Sequence, residues 1–239
     1  MLRALLLDLD DTLLINDWDA FYPPYLRLLM EHMLDVVPPA RFAAAFDAAS
    51  EAMIRSDGSQ GTLDQVFMNT FVAHTGCDPK MARARFDAFY TGPFEQLQSL
   101  TAPDPAALDL VMLARERGYK LAIATQPLFP REAVLARLRW AGVPDKAVAY
   151  DYLATFDQLT VCKPRRGYFQ TILDALAVAP GEAIMVGDSA RADMAAARLG
   201  IKTFYVERGR DGDDDVACDA RGSLAQLTSM LRSGAIHDL

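Results

Sequence analysis

Short apolar runs that alternate with helical patterns constrain the fold of this chain more than any other feature of its sequence. An unbroken apolar run is typical of a strand buried on both faces of a parallel sheet. The runs are Leu5–Leu7, Lys120–Ala124, Tyr150–Ala154, Ala183–Val186 and Lys202–Val206. The helical patterns between them are Pro105–Arg117, Arg131–Ala141, Gly167–Ala177 and Arg191–Leu199. This alternation predicts an α/β fold, an open parallel sheet with helices on both faces.

Residues 15–100 interrupt the alternation, because they contain no convincing strand pattern. Proline pairs and a polar, glycine-containing loop separate several amphipathic helical patterns. These patterns are Tyr25–Val36, Pro39–Arg55, Leu63–His74 and Pro79–Tyr90. We therefore predict an all-helical cap domain at residues 15–100, inserted into a Rossmann-like core domain made of residues 1–14 and 101–239. Its two connections, near Ile15 and Leu100, are expected to act as hinges with few contacts around them.

Composition narrows the choice of partners. The 239 residues are 51% hydrophobic and 23% charged, with a formal net charge of −8, which is typical of a soluble globular protein. The acidic balance argues against a nucleic acid or an anionic membrane as partner, so we expect a small molecule. The chain is expected to be a monomer or a homodimer.

Location is predicted from the N-terminus and the cysteines. The apolar run that opens the chain stops at Asp8, which is unlike the apolar region of a signal peptide. The three cysteines lack the close spacing of a zinc or redox pair and read as buried free thiols. Both features favour the reducing cytoplasm.

Polar residues follow the predicted strands at the points where the strands end. In open parallel sheets, ligands bind beyond the carboxyl ends of the strands, so we expect these side chains to meet at one edge. The candidate site residues are Asp8, Asp10, Thr125, Gln126, Lys163, Asp188 and Asp193.

This set of side chains suits phosphoryl chemistry. Clustered carboxylates repel one another unless a cation holds them, and oxygen ligands without nitrogen or sulfur select Mg²⁺. Magnesium commonly also binds a substrate phosphate, and a lysine and a threonine fit such a site. Asp8 and Asp10 lie on the same side of an extended backbone, so one carboxylate can attack phosphorus while the other handles the proton.

With these motifs the sequence resembles the haloacid dehalogenase-like hydrolase superfamily, specifically its aspartate-nucleophile phosphatases with a helical cap inserted after the first motif. The segment Asp8-Leu9-Asp10-Asp11-Thr12 matches the family's Asp-x-Asp-x-Thr motif. The resemblance implies that Asp8 becomes an aspartyl phosphate and binds the metal through its carboxylate. It implies that Asp10 is the general acid and base and binds the metal through its backbone carbonyl.

The remaining family motifs have matches in the same order along the chain. By resemblance, the Thr125 hydroxyl holds a phosphoryl oxygen, and Lys163 neutralises the charge of the nucleophile and the phosphoryl group. Gln126 stands where the family often has asparagine, and it is a further candidate for substrate contact. Asp188 is implied to ligate Mg²⁺, and Asp193 to complete or orient the metal shell.

Several other charged or polar residues are given structural roles. Asp11 is expected to point away from its neighbours and to form a turn, and Ser189 to cap the following helix. The run Asp211–Asp215 lacks the glycine and glutamate of a calcium loop, so we interpret it as a solvated acidic loop. Arg27 and Arg55 are cationic candidates in the cap, although surface charge is the simpler interpretation of both.

The sequence thus predicts a Mg²⁺-dependent phosphatase that hydrolyses a small phosphorylated metabolite through an aspartyl phosphate. A dehalogenase is disfavoured, because dehalogenation does not need an acid and base at Asp10. Carbon–phosphorus cleavage is disfavoured because it needs an amine nucleophile in the cap, and Lys80 is the only lysine there. A phosphomutase would keep Asp10 and remains an alternative. A non-catalytic binding scaffold is less favoured, because Asp8, Lys163 and Asp188 are all present.

Overall fold

A parallel sheet forms the centre of the protein. The computed structural model describes residues 1–210 and 213–239. Its strands in chain order are β1 (Ala4–Leu7), β2 (Leu14–Ile15), β3 (Ala102–Pro103), β4 (Lys120–Ile123), β5 (Tyr152–Leu153), β6 (Ala183–Gly187), β7 (Lys202–Val206) and β8 (Ala220–Gly222). Six of them form one parallel sheet in the order β5-β4-β1-β6-β7-β8. The predicted α/β, Rossmann-like fold is confirmed.

Strand β1 lies at the middle of this sheet because its four residues are fully buried on both faces. Leu7 pairs with Ile123 of β4 on one side and with Val186 of β6 on the other. The carboxyl ends of these three strands therefore lie next to one another. The strand predicted at Tyr150–Ala154 is shorter than expected, and β8 at the opposite edge was not predicted, because its Ala-Arg-Gly sequence has no apolar run.

Helices cover the sheet and form most of the segment between β2 and β3. The α-helices are α1 (Trp18–His32), α2 (Pro39–Arg55), α3 (Leu63–Thr75), α4 (Pro79–Thr91), α5 (Ala107–Glu116), α6 (Arg131–Trp140), α7 (Asp145–Val148), α8 (Arg166–Leu176) and α9 (Leu224–Ser233). Short 3₁₀ helices occupy Pro93–Leu100, Pro180–Glu182, Met194–Leu199, Asp213–Asp215 and Ala235–Asp238. Most predicted helices are present, whereas α7 and α9 were missed.

Helix α1 begins earlier than its proline pair suggested. The sequence predicts a helix at Tyr25–Val36, but the helix spans Trp18–His32 with Pro23 and Pro24 inside it. The Asp17 side chain accepts hydrogen bonds from two backbone amides of the first turn, at 3.1 and 3.4 Å, and so caps the helix. Burial of the apolar face of α1 in the core offsets the backbone hydrogen bonds that the prolines remove.

The helix predicted at Arg191–Leu199 is also different in the structure. Only Met194–Leu199 is helical, and it is a 3₁₀ helix. The preceding residues form a turn instead, in which the Asp193 amide donates to the Ser189 carbonyl oxygen at 2.9 Å. The predicted stop is correct, since Gly200 ends the helix with a φ of 85° that glycine adopts without strain.

More contacts join the helical segment to the sheet than the hinge hypothesis anticipated. The linkers themselves pair as β2 and β3 in a small antiparallel ladder. In addition, the Leu63 amide at the start of α3 donates to the Leu159 carbonyl oxygen at 2.8 Å, and the Ser56 hydroxyl donates to the Thr160 carbonyl oxygen at 2.8 Å. Contacts between the two parts of the chain therefore also occur away from the two linkers, and the hinges and the division into two domains stay predictions.

The structure also describes the apolar character of the helices and the burial of the cysteines. In the described part of the chain, no helix has both the length and the apolar character that a membrane span requires. The three cysteines are free, as expected, but only Cys162 is buried. Cys77 and Cys218 are half-buried, which corrects that part of the prediction.

Candidate active site

The predicted site residues meet in one cavity of about 460 Å³ at the carboxyl edge of the sheet. Strands β1, β4 and β6 end here, and the loop before α8 reaches the same place. The site residues that line the cavity are Asp8, Asp10, Thr125, Gln126, Lys163, Asp188 and Asp193. The expectation that they gather at one edge of the sheet is confirmed.

A buried lysine connects two of the carboxylates. Lys163 Nζ lies 2.8 Å from Asp8 Oδ1 and 2.6 Å from Asp193 Oδ1. All three side chains are at most 8% exposed. The Thr12 hydroxyl donates to the other Asp8 oxygen, Oδ2, at 3.2 Å. The Asp8 carboxylate is therefore fixed in place by charged and neutral hydrogen bonds that strengthen each other in a buried environment.

The carboxylates outnumber the cation that balances them. Burial raises the pKa of Asp8 to about 6; the nearby Lys163 opposes this rise, and the negative charge of Asp188 adds to it. Burial likewise raises the pKa of Asp193 to about 6, again against the effect of Lys163. For Lys163 itself burial favours a lower pKa, but the charges of Asp193 and Asp8 outweigh it and raise that pKa well above its usual range. The cluster therefore favours a further positive charge.

Three carboxylates are close enough to hold a metal ion together. Oxygen atoms of Asp8, Asp188 and Asp193 all lie within 4.8 Å of one another. A set of oxygen donors without nitrogen or sulfur suits a hard dication such as Mg²⁺. Burial raises the pKa of Asp188, while a hydrogen bond from Arg210 at 2.7 Å opposes that rise. The donor chemistry thus fits a divalent metal.

A glycine at the end of β6 allows this close approach. A Cβ atom added at Gly187 would lie 2.2 Å from Asp193 Oδ2, which is far inside van der Waals contact. Asp193 Oδ2 also accepts a hydrogen bond from the Ser189 amide at 3.0 Å. The Gly-Asp-Ser motif therefore has a steric reason at its first position, in addition to the carboxylate at its second.

Asp10 is held separately from this cluster. Its Oδ1 accepts a hydrogen bond from Asn16 Nδ2 at 2.9 Å, and its Oδ2 forms an ion pair with Arg137 Nη1. Arg137 is only 1% exposed, and its guanidinium carbon lies 4.4 Å from the centre of the Phe129 ring. The Asp10 carboxylate does not belong to the three-carboxylate group within the described residues.

Sequence reasoning missed both partners of Asp10. Arg137 looked like one basic residue among several on α6, although it falls four residues after Ala133 and three after Val134 and so lies on their buried face. Its position in the sequence therefore indicated a buried partner, because an arginine on an apolar helix face needs one. Asn16 carried no comparable signal.

Gln126 contacts the backbone of Lys163. Its Oε1 accepts from the Lys163 amide at 3.1 Å, and its Nε2 donates to the Lys163 carbonyl oxygen at 3.4 Å. The longer arm of glutamine, compared with asparagine, thus spans to the neighbouring loop and positions the lysine. Thr125 is 2% exposed, and its carbonyl oxygen accepts from the Tyr168 hydroxyl at 2.7 Å.

The turn predicted at Asp11 is present in the structure, but the helix cap predicted at Ser189 is not. Asp11 has a φ of 53° and accepts a hydrogen bond from the Asn16 amide at 2.9 Å, as expected of a turn residue. Its second oxygen accepts from Arg210 at 2.6 Å. The Ser189 hydroxyl accepts from the Ala192 amide at 3.1 Å, but this contact lies in the turn before the helix. The N-cap of the helix is Asp193, so the prediction that Ser189 caps it is wrong.

The acidic run at Asp211–Asp215 can be compared only in part. Asp211 and Gly212 lie outside the described residues. Asp213 is 9% exposed and accepts a hydrogen bond from the Tyr205 hydroxyl at 2.8 Å. For Asp213 the interpretation as solvated charge is therefore wrong. Its carboxylate orders the loop after β7, because it accepts hydrogen bonds from the backbone amides of Arg208 and Arg210, each at 3.1 Å.

Comparison with known proteins agrees with this fold. The chain belongs to the haloacid dehalogenase-like hydrolase family, whose model matches residues 2–200. It is 29% identical to a phosphoserine phosphatase of Thermus thermophilus, over 95% of this chain and 98% of the relative. It is 26% identical to a ribulose-1,5-bisphosphate 5-phosphatase of Halopiger xanaduensis, over 100% of this chain and 99% of the relative. The crystal structure of a phosphatase of this family from Thermococcus onnurineus superposes with a TM-score of 0.57 at 21% identity, over 96% of this chain and 98% of that one.

Proposed function

We propose that the protein is a Mg²⁺-dependent phosphatase that hydrolyses a small phosphorylated metabolite through an aspartyl phosphate on Asp8. The observation that carries the proposal is the Asp8 carboxylate, fixed by Lys163 and Thr12 beside two further carboxylates, with a second acid at Asp10. Support also comes from relatives whose names are those of phosphatases acting on small phosphorylated compounds.

The geometry supports different catalytic roles for Asp8 and Asp10. Asp8 is the nucleophile: one carboxylate oxygen forms a bond to phosphorus as the bond from phosphorus to the leaving-group oxygen breaks. Asp10 gives its proton to that leaving oxygen. It then takes a proton from the water that attacks phosphorus, which releases inorganic phosphate and restores the Asp8 carboxylate. Because Asp10 binds Asn16 and Arg137 rather than Lys163, its carboxylate is separate from the nucleophile.

The other residues stabilise charge and position the groups. The Thr125 hydroxyl donates to a phosphoryl oxygen, and the Lys163 ammonium balances the charge of Asp8 and of the phosphoryl group. Gln126 positions Lys163 through its backbone. Both oxygens of Asp193 accept hydrogen bonds, from Lys163 and from the Ser189 amide, so Asp193 orients these groups in addition to lying close to the other two carboxylates.

Asp8, Asp188 and the backbone carbonyl of Asp10 would hold Mg²⁺, with Asp193 beside them. When bound, the ion supplies positive charge to the carboxylates and to the phosphoryl oxygens. The helical cap at residues 15–100 would cover the cavity and select the leaving group. The cytoplasm stays the proposed location, and a monomer or homodimer the proposed assembly. A phosphomutase would use the same residues, but no specific contact among residues 1–210 and 213–239 favours one.

The test uses purified protein, 4-nitrophenyl phosphate and Mg²⁺, with EDTA as the metal-free condition. We expect Asp8→Asn to abolish turnover and any acid-stable phosphoenzyme. We expect Asp10→Asn to slow hydrolysis by about 10²–10⁴-fold while phosphoenzyme still forms from this good leaving group. Asp157→Asn, a change at an exposed aspartate, is the control. Undiminished turnover in EDTA would refute the metal dependence, and normal turnover of Asp8→Asn would refute the covalent route.

A further inference from the structure

The part of the cavity that faces the carboxylates from the helical segment has aromatic and apolar walls. Its residues come from α1, from α2 and from the loop that follows β4. They are Trp18, Tyr22, Tyr25, Phe46, Ile54, Leu128 and Phe129. The cavity volume of about 460 Å³ is that of a site for one small molecule.

Both tyrosines line the cavity, and their hydroxyl groups have partners outside its lining. The Tyr22 hydroxyl donates to Asp47 Oδ1 at 3.1 Å. The Tyr25 hydroxyl lies 2.7 Å from that of Tyr90, in a buried pair. Ring surfaces thus dominate this wall, and they favour contact with a flat apolar group over a heavily hydrogen-bonded one.

Two of the wall residues are large apolar side chains that remain substantially exposed. Trp18 is 43% exposed and Ile54 is 48% exposed. The Trp18 ring lies 5.4 Å from the Tyr22 ring and 6.3 Å from the Phe129 ring, where the contact is edge to face. Apolar surface left exposed inside a concave site is typical of a surface that a ligand covers.

Within the described part of the chain, the wall carries no positive charge that could receive a second anionic group. Among the described residues that line the cavity, Lys163 is the only lysine or arginine, and it already bridges Asp8 and Asp193. Asn16 and Ser50 add polar but neutral groups. The cavity is instead rich in carboxylates, which repel anions.

The nearby arginines are paired with other carboxylates or point elsewhere. Arg137 binds Asp10, and Arg210 binds Asp188 and Asp11. Of the two cap arginines considered from the sequence, Arg55 pairs with Glu51 at 2.5 Å, and neither Arg55 nor Arg27 lines the cavity. A substrate carboxylate or second phosphate would therefore enter without a partner, which is costly in a desolvated site.

We infer that the substrate is a phosphate monoester whose leaving group is an uncharged aromatic ring held against Trp18 and Phe129. This inference rests on the proposed phosphatase activity and names the substrate class for that site. The phosphoryl group of the substrate lies at Asp8, and its ring lies against the aromatic side chains on the opposite side of the cavity. Esters that carry a carboxylate or a second phosphate on the leaving group are poor substrates.

The charge requirement is tested with two esters matched in reactivity. Benzyl phosphate and 4-carboxybenzyl phosphate are primary esters of similar leaving-group basicity, and they differ in one negative charge. We expect kcat/KM for benzyl phosphate to exceed that for 4-carboxybenzyl phosphate by about tenfold or more. Glycerol 1-phosphate, which is uncharged beyond its phosphate but has no ring, should also fall below benzyl phosphate.

Variants on the wall separate recognition from chemistry. Ile54→Lys places a cation in the cavity and should shift the kcat/KM ratio of the two benzyl esters by about tenfold toward the carboxylated one. Leu34→Lys is the matched control, because Leu34 is similarly exposed, at 53%, but does not line the cavity. Trp18→Leu should lower kcat/KM for benzyl phosphate and leave the Mg²⁺ concentration for half-activation unchanged.

A binding measurement makes the outcome independent of turnover. Benzylphosphonate and 4-carboxybenzylphosphonate, which cannot be hydrolysed at the carbon–phosphorus bond, are titrated against the protein in Mg²⁺ by calorimetry. Tighter binding of benzylphosphonate, which lacks the carboxylate, supports the inference even if 4-nitrophenyl phosphate is not hydrolysed, an outcome that would refute only the phosphatase proposal. Hydrolysis of 4-nitrophenyl phosphate together with equal or tighter binding of the carboxylated compound would overturn the inference and leave the phosphatase proposal intact.

Discussion

The charge imbalance around Asp8 predicts that this carboxylate destabilises the metal-free protein. We expect Asp8→Asn to raise the free energy of unfolding in EDTA at pH 8. The asparagine can keep both side-chain contacts, because its oxygen accepts from Lys163 as Asp8 Oδ1 does, and its amide nitrogen can donate to the Thr12 hydroxyl oxygen. The substitution therefore removes a buried charge without leaving a buried polar group unpaired.

The magnitude follows from the pKa of Asp8, which burial raises from 3.8 to about 6 in the folded protein. At 1.36 kcal/mol per pKa unit, the difference corresponds to at most about 3 kcal/mol. Because the folded-state pKa is the higher one, the folded protein binds more protons between pH 3.8 and 6. Stability is therefore lost as the pH rises through this range. The free energy of unfolding of Asp8→Asn should exceed that of the unsubstituted protein by the largest amount above pH 7. This difference should shrink below pH 6 and vanish near pH 4.

The assay is urea denaturation followed by tryptophan fluorescence, in EDTA at pH 4, 5, 6 and 8. Asp157→Asn, which removes an exposed carboxylate, should change the free energy of unfolding by less than about 0.5 kcal/mol. Saturating Mg²⁺ should stabilise the unsubstituted protein more than Asp8→Asn, since the variant lacks one proposed ligand. Lower stability of Asp8→Asn at pH 8 in EDTA, or a difference that does not change with pH, would refute the reasoning.

Two further substitutions test the supporting contacts. Gly187→Ala should destabilise the protein by about 1–3 kcal/mol in urea denaturation and sharply lower Mg²⁺-dependent phosphatase activity, because its Cβ would meet Asp193 Oδ2 at 2.2 Å. Gly181→Ala, whose Cβ would meet nothing within 4 Å, is the control, and equal effects of the two would contradict the steric argument. Arg137→Met should destabilise the protein by about 1–3 kcal/mol, because Asp10 loses its cation. In a double-mutant cycle with Asp10→Asn the two changes should cost less together than separately, whereas strict additivity would show that the ion pair contributes nothing.

The elements nearest the site could be predicted from the sequence because their signals are local. Leu5–Leu7 and Ala183–Val186 are apolar runs long enough for a buried strand, and each is followed at once by polar residues. In a parallel sheet this order alone directs Asp8 and Asp188 to the same edge. The β8 strand was missed because it lacks an apolar run, and the start of α1 was misplaced because its proline pair is outweighed by its buried face and N-cap. Helix α9 was missed although its Ser223–Gln226 capping box is a clear local signal.

The sequence by itself therefore determined the α/β fold class and the gathering of the motif residues at one edge of the sheet. Only the tertiary structure decided which partner each of them has. Arg137 meets Asp10 across 127 positions of the chain, and Gln126 reaches Lys163 across 37. The aromatic wall likewise forms only where α1 and α2 face the loop after β4. Such contacts depend on how distant segments pack in space, and no periodicity within a short stretch of sequence encodes them.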